Sequence, residues 1–356
     1  MSFKAVDAFC GAGGLTLGLQ DAGFDVLAGF DLDPICIQTI VHNQEFIKHS
    51  VYEADVKTML GGRLLELIGL EAGELDLLAG GPPCQGFSVQ RTVGGDHDVR
   101  NLLVGDYGDL IIEVRPRFFL VENVPGIGGK RGRHYLDQLA AKMSSCGYAI
   151  HEAILDAQDF GVPQRRRRLV MVGERLLAGG ISKFTWPTPS GTQAPTVRQA
   201  IGDLPSPPED GTELPGYPNH RADRLSQLNK KRLRALRPGD GRTELPEELW
   251  AECHKVSAEI VGHRNVYGRM AWDEVAPTIT ARFDSFTRGK FGHPTETRSI
   301  SLREGARLQT FPDAYTFVGT KVEVARQIGN AVPVTFAEAI GSSIAHSLSS
   351  DPSLRR

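Results

Sequence analysis

Over its first 80 residues the chain alternates short β-branched or apolar runs with helical patterns, and this rhythm restricts the fold more than any other feature. "FKAVDAF" passes through a glycine turn into "LTLGLQDAG", and "DVLAGFD", "VYEADV", a helix around "TMLGGRLLELIG" and "LDLLAGG" follow. Strands separated by helices run parallel, with the helices covering the faces of a doubly wound sheet. The pattern continues through helical "LLVGDYGDLIIEVRP", strand-like "RFFLVENV" and a helix from about His134 to Cys146. "YAIHEAILDA" and "RRRRLVMVGE" then stand so close together that an antiparallel pair is expected at the sheet edge. The predicted class is α/β, with a mostly parallel, Rossmann-like sheet and an antiparallel edge strand.

A chain of 356 residues exceeds what one core usually fills. After Phe184 its texture changes: "WPTPSGTQAPTV" and "LPSPPEDGTELPGYP" are dense in Pro, Gly and small polar residues. A smaller irregular domain is therefore expected over 185–297, between two parts of the main domain, 1–184 and 298–356. Regular patterns resume with "SLREGARLQTFPD" and end in a Gly/Pro-started helix, "QIGNAVPVTFAEAIGSSIAHSL". No apolar run approaches the roughly 20 residues of a membrane helix, and no targeting pattern precedes the first strand, so a cytoplasmic protein is expected. Cys10, Cys36, Cys84, Cys146 and Cys253 are odd in number and hold no CxxC pair, which argues for free thiols and against a disulfide framework or a zinc site. The formal net charge of −3 does not advertise a polyanionic partner, but "NHRADRLSQLNKKRLRALRPGDGR" carries a local excess of Arg and Lys.

Two sets of residues carry chemistry. In "DAFCGAGGLTLGL", Gly11, Gly13 and Gly14 lie between a strand and a helix, where missing side chains let a ligand approach backbone and helix N-terminus. A tight turn alone would explain them, but Asp31 closes the next strand, suited to ribose hydroxyls, and Asp55 the one after, suited to an adenine amino group. Together they read as a nucleoside pocket. The second set is Cys84, in "GGPPCQGFS", and Glu122, in "RFFLVENV". Most free cysteines are small buried hydrophobes. Pro82 and Pro83 stiffen the approach to Cys84 at the ligand-binding edge of a parallel sheet, and a Gly-rich tail built to move follows it.

The blocks "DAFCGAGG", "GGPPCQGFS", "ENVPG", "QRRRR", "RSISLREGARLQTFPD" and "QIGNAVP", in this order, resemble the C5-cytosine DNA methyltransferases over the whole chain apart from the middle domain. The resemblance implies S-adenosylmethionine as cofactor, held by Phe9, Gly11, Gly13, Gly14, Asp31, Leu32, Asp55 and Val56, with Asn330 and Val332 closing the site. Leu32 stands where some members carry a bulkier aromatic. It implies Cys84 as the nucleophile toward cytosine C6, Glu122 as the proton-handling group at N3, and Arg166 and Arg168 as bracing residues, with Arg168 near the base carbonyl.

Attack inside a stacked duplex is impossible, so base flipping is expected. Gln85, Ser88, Gln90 and Arg91 are the expected DNA contacts beside the thiol, with Gln90 or Arg91 entering the vacated space. Arg264, Arg269, Arg282, Arg288 and Lys290 are candidates in a target recognition domain, 185–297. The expected partner is double-stranded DNA, acted on by a monomer, and a companion restriction endonuclease for the same site fits a single-chain bacterial restriction-modification or orphan enzyme. A nicotinamide-dependent oxidoreductase would share the glycine turn and strand-end acid but has no use for Pro-Pro-Cys-Gln or Glu-Asn-Val. A tRNA cytosine-5 methyltransferase would share the Cys and Glu blocks, against which the large basic middle domain argues for duplex DNA. Intact Cys84, Glu122 and Arg168 argue against a catalytically silent DNA-binding regulator.

Overall fold

The structure is a computed structural model that describes residues 2–83, 103–129, 132–176, 180–251 and 266–350. The chain forms two compact units. The first comprises Met1–Phe160, Arg167–Ser190 and Val332–Arg356, and the second Gly161–Arg166 and Gly191–Ala331. Residues 298–331, whose regular pattern resembles that of the sheet domain, thus cluster with the second unit.

The first unit is built on seven strands: β1 (Phe3–Ala8), β2 (Phe24–Asp31), β3 (Ser50–Glu53), β4 (Leu77–Gly80), β5 (Phe118–Asn123), β6 (Tyr148–Asp156) and β7 (Arg167–Arg175), in the order β3-β2-β1-β4-β5-β7-β6. The first five are mutually parallel, with Phe3 opposite Phe24, Ala5 opposite Leu77 and Leu77 opposite Phe118. β7 runs antiparallel to both β5 and β6, so the expected edge pair is present, with β7 inserted inside β6. The helices are α1 (Gly14–Asp21), α2 (Pro34–His42), α3 (Arg63–Ile68), α4 (Leu103–Val114), α5 (Arg133–Ser145) and, at the C-terminus, a sixth over Val334–Ser349. The alternation of the pleat sends Val6, Ala8, Leu78, Phe119 and Val121 into one core with Leu64, Tyr107, Ile111, Leu136 and Met143 of α3, α4 and α5. The Tyr107 hydroxyl, buried in this core, donates to the carbonyls of Leu78 and Leu120, at 2.9 and 3.2 Å. On β1 the intervening Asp7 points the other way, to Thr16 of α1.

In the second unit the described helices are α6 (Val197–Ile201), α7 (Gln227–Arg234), α8 (Leu302–Leu308) and α9 (Lys321–Asn330), which precede the C-terminal helix, α10 (Val334–Ser349), of the first. The described backbone there is otherwise irregular, and an irregular interior leaves carbonyls that no ladder satisfies. Buried arginines serve them: Arg303 donates to the carbonyls of Pro218, Pro312 and Tyr315, and Arg166 to those of Ile279, Gly329 and Ala331. Leu233, Leu236, Leu245 and Phe286 make a small apolar cluster beside α7. Among the described residues no helix is long and apolar enough to cross a membrane.

Candidate active site

Five parallel strands end on one edge, and the sheet order reverses direction between β1 and β4, which opens a crevice above their carboxyl ends. At β1 the backbone turns left-handed three times within five residues: φ is 62° at Phe9, 51° at Gly11 and 86° at Gly13. Gly13 then caps α1 without any side-chain hydrogen bond. A Cβ on Gly11 would meet nothing within 4 Å, so the turn faces open space. Phe9 holds the turn from beneath, with its ring 5.8 Å from Tyr107 and 6.2 Å from Phe30. Thr16 donates 2.6 Å to the wholly buried Asp7 carboxyl, which ties the first turn of α1 to β1. Burial pushes the Asp7 pKa up to about 7, against the opposing effect of the Thr16 hydrogen bond.

Asp31 ends β2 and accepts from the Gly11 N–H at 2.9 Å and the Asp33 N–H at 2.8 Å. Its carboxylate is therefore oriented by main chain from two directions, while burial raises its pKa against those donors. Leu32, immediately after, is 66% exposed, an apolar side chain left in solvent beside a fixed carboxylate. Asp55 lies two residues beyond β3 rather than inside it and caps a short 3-10 turn, accepting from Lys57 N–H at 3.0 Å, with Val56 buried beneath. Phe9, Gly11, Gly13, Gly14, Asp31, Leu32, Asp55 and Val56 thus share one strand-end edge of the first unit. Val332 is buried in that unit, whereas Asn330 ends α9 in the second. Cys10, within the turn, is buried and its thiol is pushed well above the ordinary range by that burial.

At the end of β5, Glu122 faces Arg168 of β7, with Nε and Oε1 2.8 Å apart and both side chains about nine-tenths buried. The antiparallel register explains the meeting, since Glu122 lies opposite Val170, two residues along from Arg168. Asn123 donates through Nδ2 to the Pro82 carbonyl at 3.0 Å, and its Oδ1 accepts from Val124 N–H at 2.8 Å. A Cβ on Gly81 would sit 3.5 Å from Glu122 Oε2. The segment leading into Cys84 is thereby pinned beside the carboxylate. Cys84 itself, with Gln85, Ser88, Gln90, Arg91 and Arg264, lies outside the described residues.

The remaining arginines separate by burial. Arg166 precedes β7, is 1% exposed and spends its guanidinium on the three carbonyls named above. Arg269 is also buried, and donates to the carbonyls of His293, Glu296 and Leu233 at 2.6–2.9 Å. A phosphate could reach it only by breaking these bonds. Arg282 and Arg288 are exposed and Lys290 half-buried, with Arg282 3.1 Å from Asp284. Sequence reading passed over Asp7, Thr16 and Gly81. Only the spacing of a strand-end acid and a hydroxyl two residues into the next helix hinted at the first two.

Comparison with known proteins matches residues 3–346 to the family model of the C-5 cytosine-specific DNA methylases. The type II methylase M.HgiDII of Herpetosiphon aurantiacus is 39% identical over 95% of this chain and 94% of its own length. The type II methyltransferase M.XorII of Xanthomonas oryzae pv. oryzae is 33% identical over 98% of this chain and 85% of its own. A solved structure from E. coli, of a DNA modification methyltransferase encoded within a prophage, superposes with a TM-score of 0.71 at 27% identity, covering 98% of this chain and all of the other. The S. pombe Dnmt2 methyltransferase, at 16% identity and a TM-score of 0.66, shares the fold. With a doubly wound sheet, a glycine turn facing open space and a paired Glu122 and Arg168 at its strand ends, the chain belongs to the C-5 cytosine-specific DNA methylase family.

Proposed function

We propose that the protein is an S-adenosylmethionine-dependent DNA cytosine-5 methyltransferase that uses Cys84 as nucleophile. The observation that carries this is the pair of anchors at the end of β5: Arg168 holds Glu122, and Asn123 holds Pro82, two residues before Cys84. The segment entering Cys84 therefore starts beside a fixed carboxyl group, which supports a thiol and a proton-handling group that act on one base. The open turn at Gly11, the oriented Asp31 and the exposed Leu32 fit a nucleoside cofactor: Asp31 for the ribose hydroxyls, Leu32 for one face of the base, Asp55 for its amino group. When bound, S-adenosylmethionine supplies a methyl group on a positively charged sulfur.

Cytosine C5 is a poor nucleophile until the ring loses aromatic character. The Cys84 thiolate forms a bond to C6, electron density moves toward N3, and the Glu122 carboxyl group places a proton there, which leaves an enamine nucleophilic at C5. After methylation a base removes the C5 proton, the C6–S bond breaks, and the N3 proton returns to Glu122, so the thiolate and the carboxyl group are both restored. The target nucleotide must leave the stack for this chemistry, at a cost of a few kcal/mol. We assign recognition of the duplex to the second unit, whose exposed Arg282 and Arg288 are candidates, while Arg166 and Arg269 maintain its interior. The type II naming of the relatives supports a companion endonuclease.

A duplex carrying 5-fluorocytosine at the modified position tests the reading. With methyl donor present it should become covalently trapped on the wild-type protein and not on Cys84→Ser. Absence of a trapped species on the wild type refutes the mechanism.

A further inference from the structure

We propose that Lys231 and Arg234 of α7, with Arg237 just beyond its C-terminus, form a surface that contacts the phosphate backbone of duplex DNA without reading sequence. The inference rests on the DNA-methylating reading above and assigns part of its substrate binding to a specific helix face.

The sequence of α7, "QLNKKRLR", places four cations within five residues, and the fold sorts them. Arg232 turns inward: its Nε donates to the Leu249 carbonyl at 2.7 Å, Nη1 to Asn229 Oδ1 at 2.9 Å, and its guanidinium lies 4.8 Å from the Tyr267 ring centre. Leu233 is fully buried beside it, and Ser226 caps the helix by accepting from Asn229 N–H. With that face fixed, Lys231 and Arg234 must point outward, and both are exposed, as is Arg237. Residues three apart on a helix have Cβ atoms about 5–6 Å from each other.

Several exposed or half-buried cations of the second unit have an acidic partner among the described residues. Arg198 meets Asp273 at 2.9 Å, Arg307 meets Asp313 at 2.7 Å, Arg282 meets Asp284 at 3.1 Å, and Lys230 meets Glu209 at 3.8 Å. Among the described residues no carboxylate forms an ion pair with the side chain of Lys231, Arg234 or Arg237. Lys231 and Arg234, three residues apart on one helix, repel one another, and Arg237, whose backbone N–H donates to Asp240 Oδ2 at 2.8 Å, adds a third positive side chain three residues farther along. The helix dipole favours cations in the last turn, but Arg237 lies past the helix end and gains nothing from it. A polyanion with charges repeating along a rigid backbone is the partner that satisfies all three, and the chain belongs to a family that modifies DNA.

The test is a triple variant, Lys231→Gln/Arg234→Gln/Arg237→Gln, compared with the wild type by fluorescence anisotropy over a salt series. The probes are labelled poly(dA·dT), which contains no cytosine, and a duplex bearing the site found by bisulfite sequencing of a methylated plasmid. Each lost phosphate contact lowers the slope of log affinity against log salt by about 0.9, so the triple variant should lose about 2.7, equally on both probes. The single variant Lys231→Gln should lose about 0.9, and Arg234→Lys, which keeps the charge, should lose nothing. An unchanged slope with DNA binding intact in the wild type overturns this inference and leaves the function standing. A stability loss with unchanged slope does the same, by showing that the cations serve only the helix. A wild type that binds neither probe overturns both.

Discussion

Gly18 offers the sharpest test of how the cofactor edge is held, because two physical effects predict opposite signs there. It lies in the middle of α1, where glycine destabilises a helix by about 1 kcal/mol relative to alanine, so propensity alone makes Gly18→Ala stabilising. The structure says otherwise. A Cβ at this position would collide with the Val334 carbonyl and lie 2.5 Å from Ala337 Cβ and 2.7 Å from Glu338 N, all on α10. Two of these three obstacles are main chain of a buried helix and cannot rotate away, so α1 must move off α10 by roughly 1 Å to restore van der Waals separation. Forcing a methyl into a packed interface costs typically about 1–3 kcal/mol, which outweighs the propensity gain over most of that range. For a unit of this size, each kcal/mol lowers the melting midpoint by about 2–4 °C. The displaced helix begins at Gly14, directly after the glycine turn, so the shift also reaches Gly13 and the Gly11 N–H that orients Asp31. Binding of S-adenosylhomocysteine, followed by calorimetry, should weaken about tenfold or more, given how steeply function falls with misplacements of about 1 Å. Gly105 of α4 supplies the control: its Cβ would meet nothing within 4 Å, so Gly105→Ala should stabilise by about 0.5–1 kcal/mol and leave ligand affinity alone. If thermal unfolding shows both variants equally stabilised, the close approach of α1 and α10 is not what positions the turn.

Two further perturbations address the site. Asp7 has its pKa raised from 3.8 to about 7 by burial, so between those values the native chain holds a proton that the unfolded chain has released. Stability should therefore fall as pH rises from about 4 to about 7, by at most about 4 kcal/mol from this group, and Asp7→Asn should flatten that slope in urea titrations at pH 5 and pH 8. At Glu122, Arg168→Leu leaves a buried carboxylate without its counter-charge, which should cost about 3–5 kcal/mol in urea unfolding. The double variant Glu122→Gln/Arg168→Leu should recover most of that stability while methyl transfer, followed with tritiated donor, stays absent.

The strands and the glycine turn were legible because their signals are local: apolar runs of strand length, a glycine cluster between strand and helix, acids at strand ends. Asp31 could be placed at the strand-end edge because its position at the end of β2 follows from the same rhythm that defines β2. The second unit resisted for the opposite reason. In "RNVYGRMAW" nothing separates Arg269 from a surface cation. What separates it is that an irregular chain folded on itself leaves the carbonyls of Leu233, His293 and Glu296 converging on one point, and only a long multivalent donor satisfies all three. Charge counts register such a residue as basic when its work is that of a ladder of backbone hydrogen bonds. The assignment of 298–331 met the same limit. Helices α8 and α9 have the apolar spacing of any packed helix, and spacing specifies that a face is buried, never which core buries it; here Gly305 packs on Phe283 and Gly329 on the Thr280 backbone, both in the second unit. Burial therefore has to be known before basic residues of this unit can be divided into those that hold the loops and those free to meet a phosphate. That division is what separates Lys231, Arg234 and Arg237 from Arg232 beside them and from the buried Arg166 and Arg269.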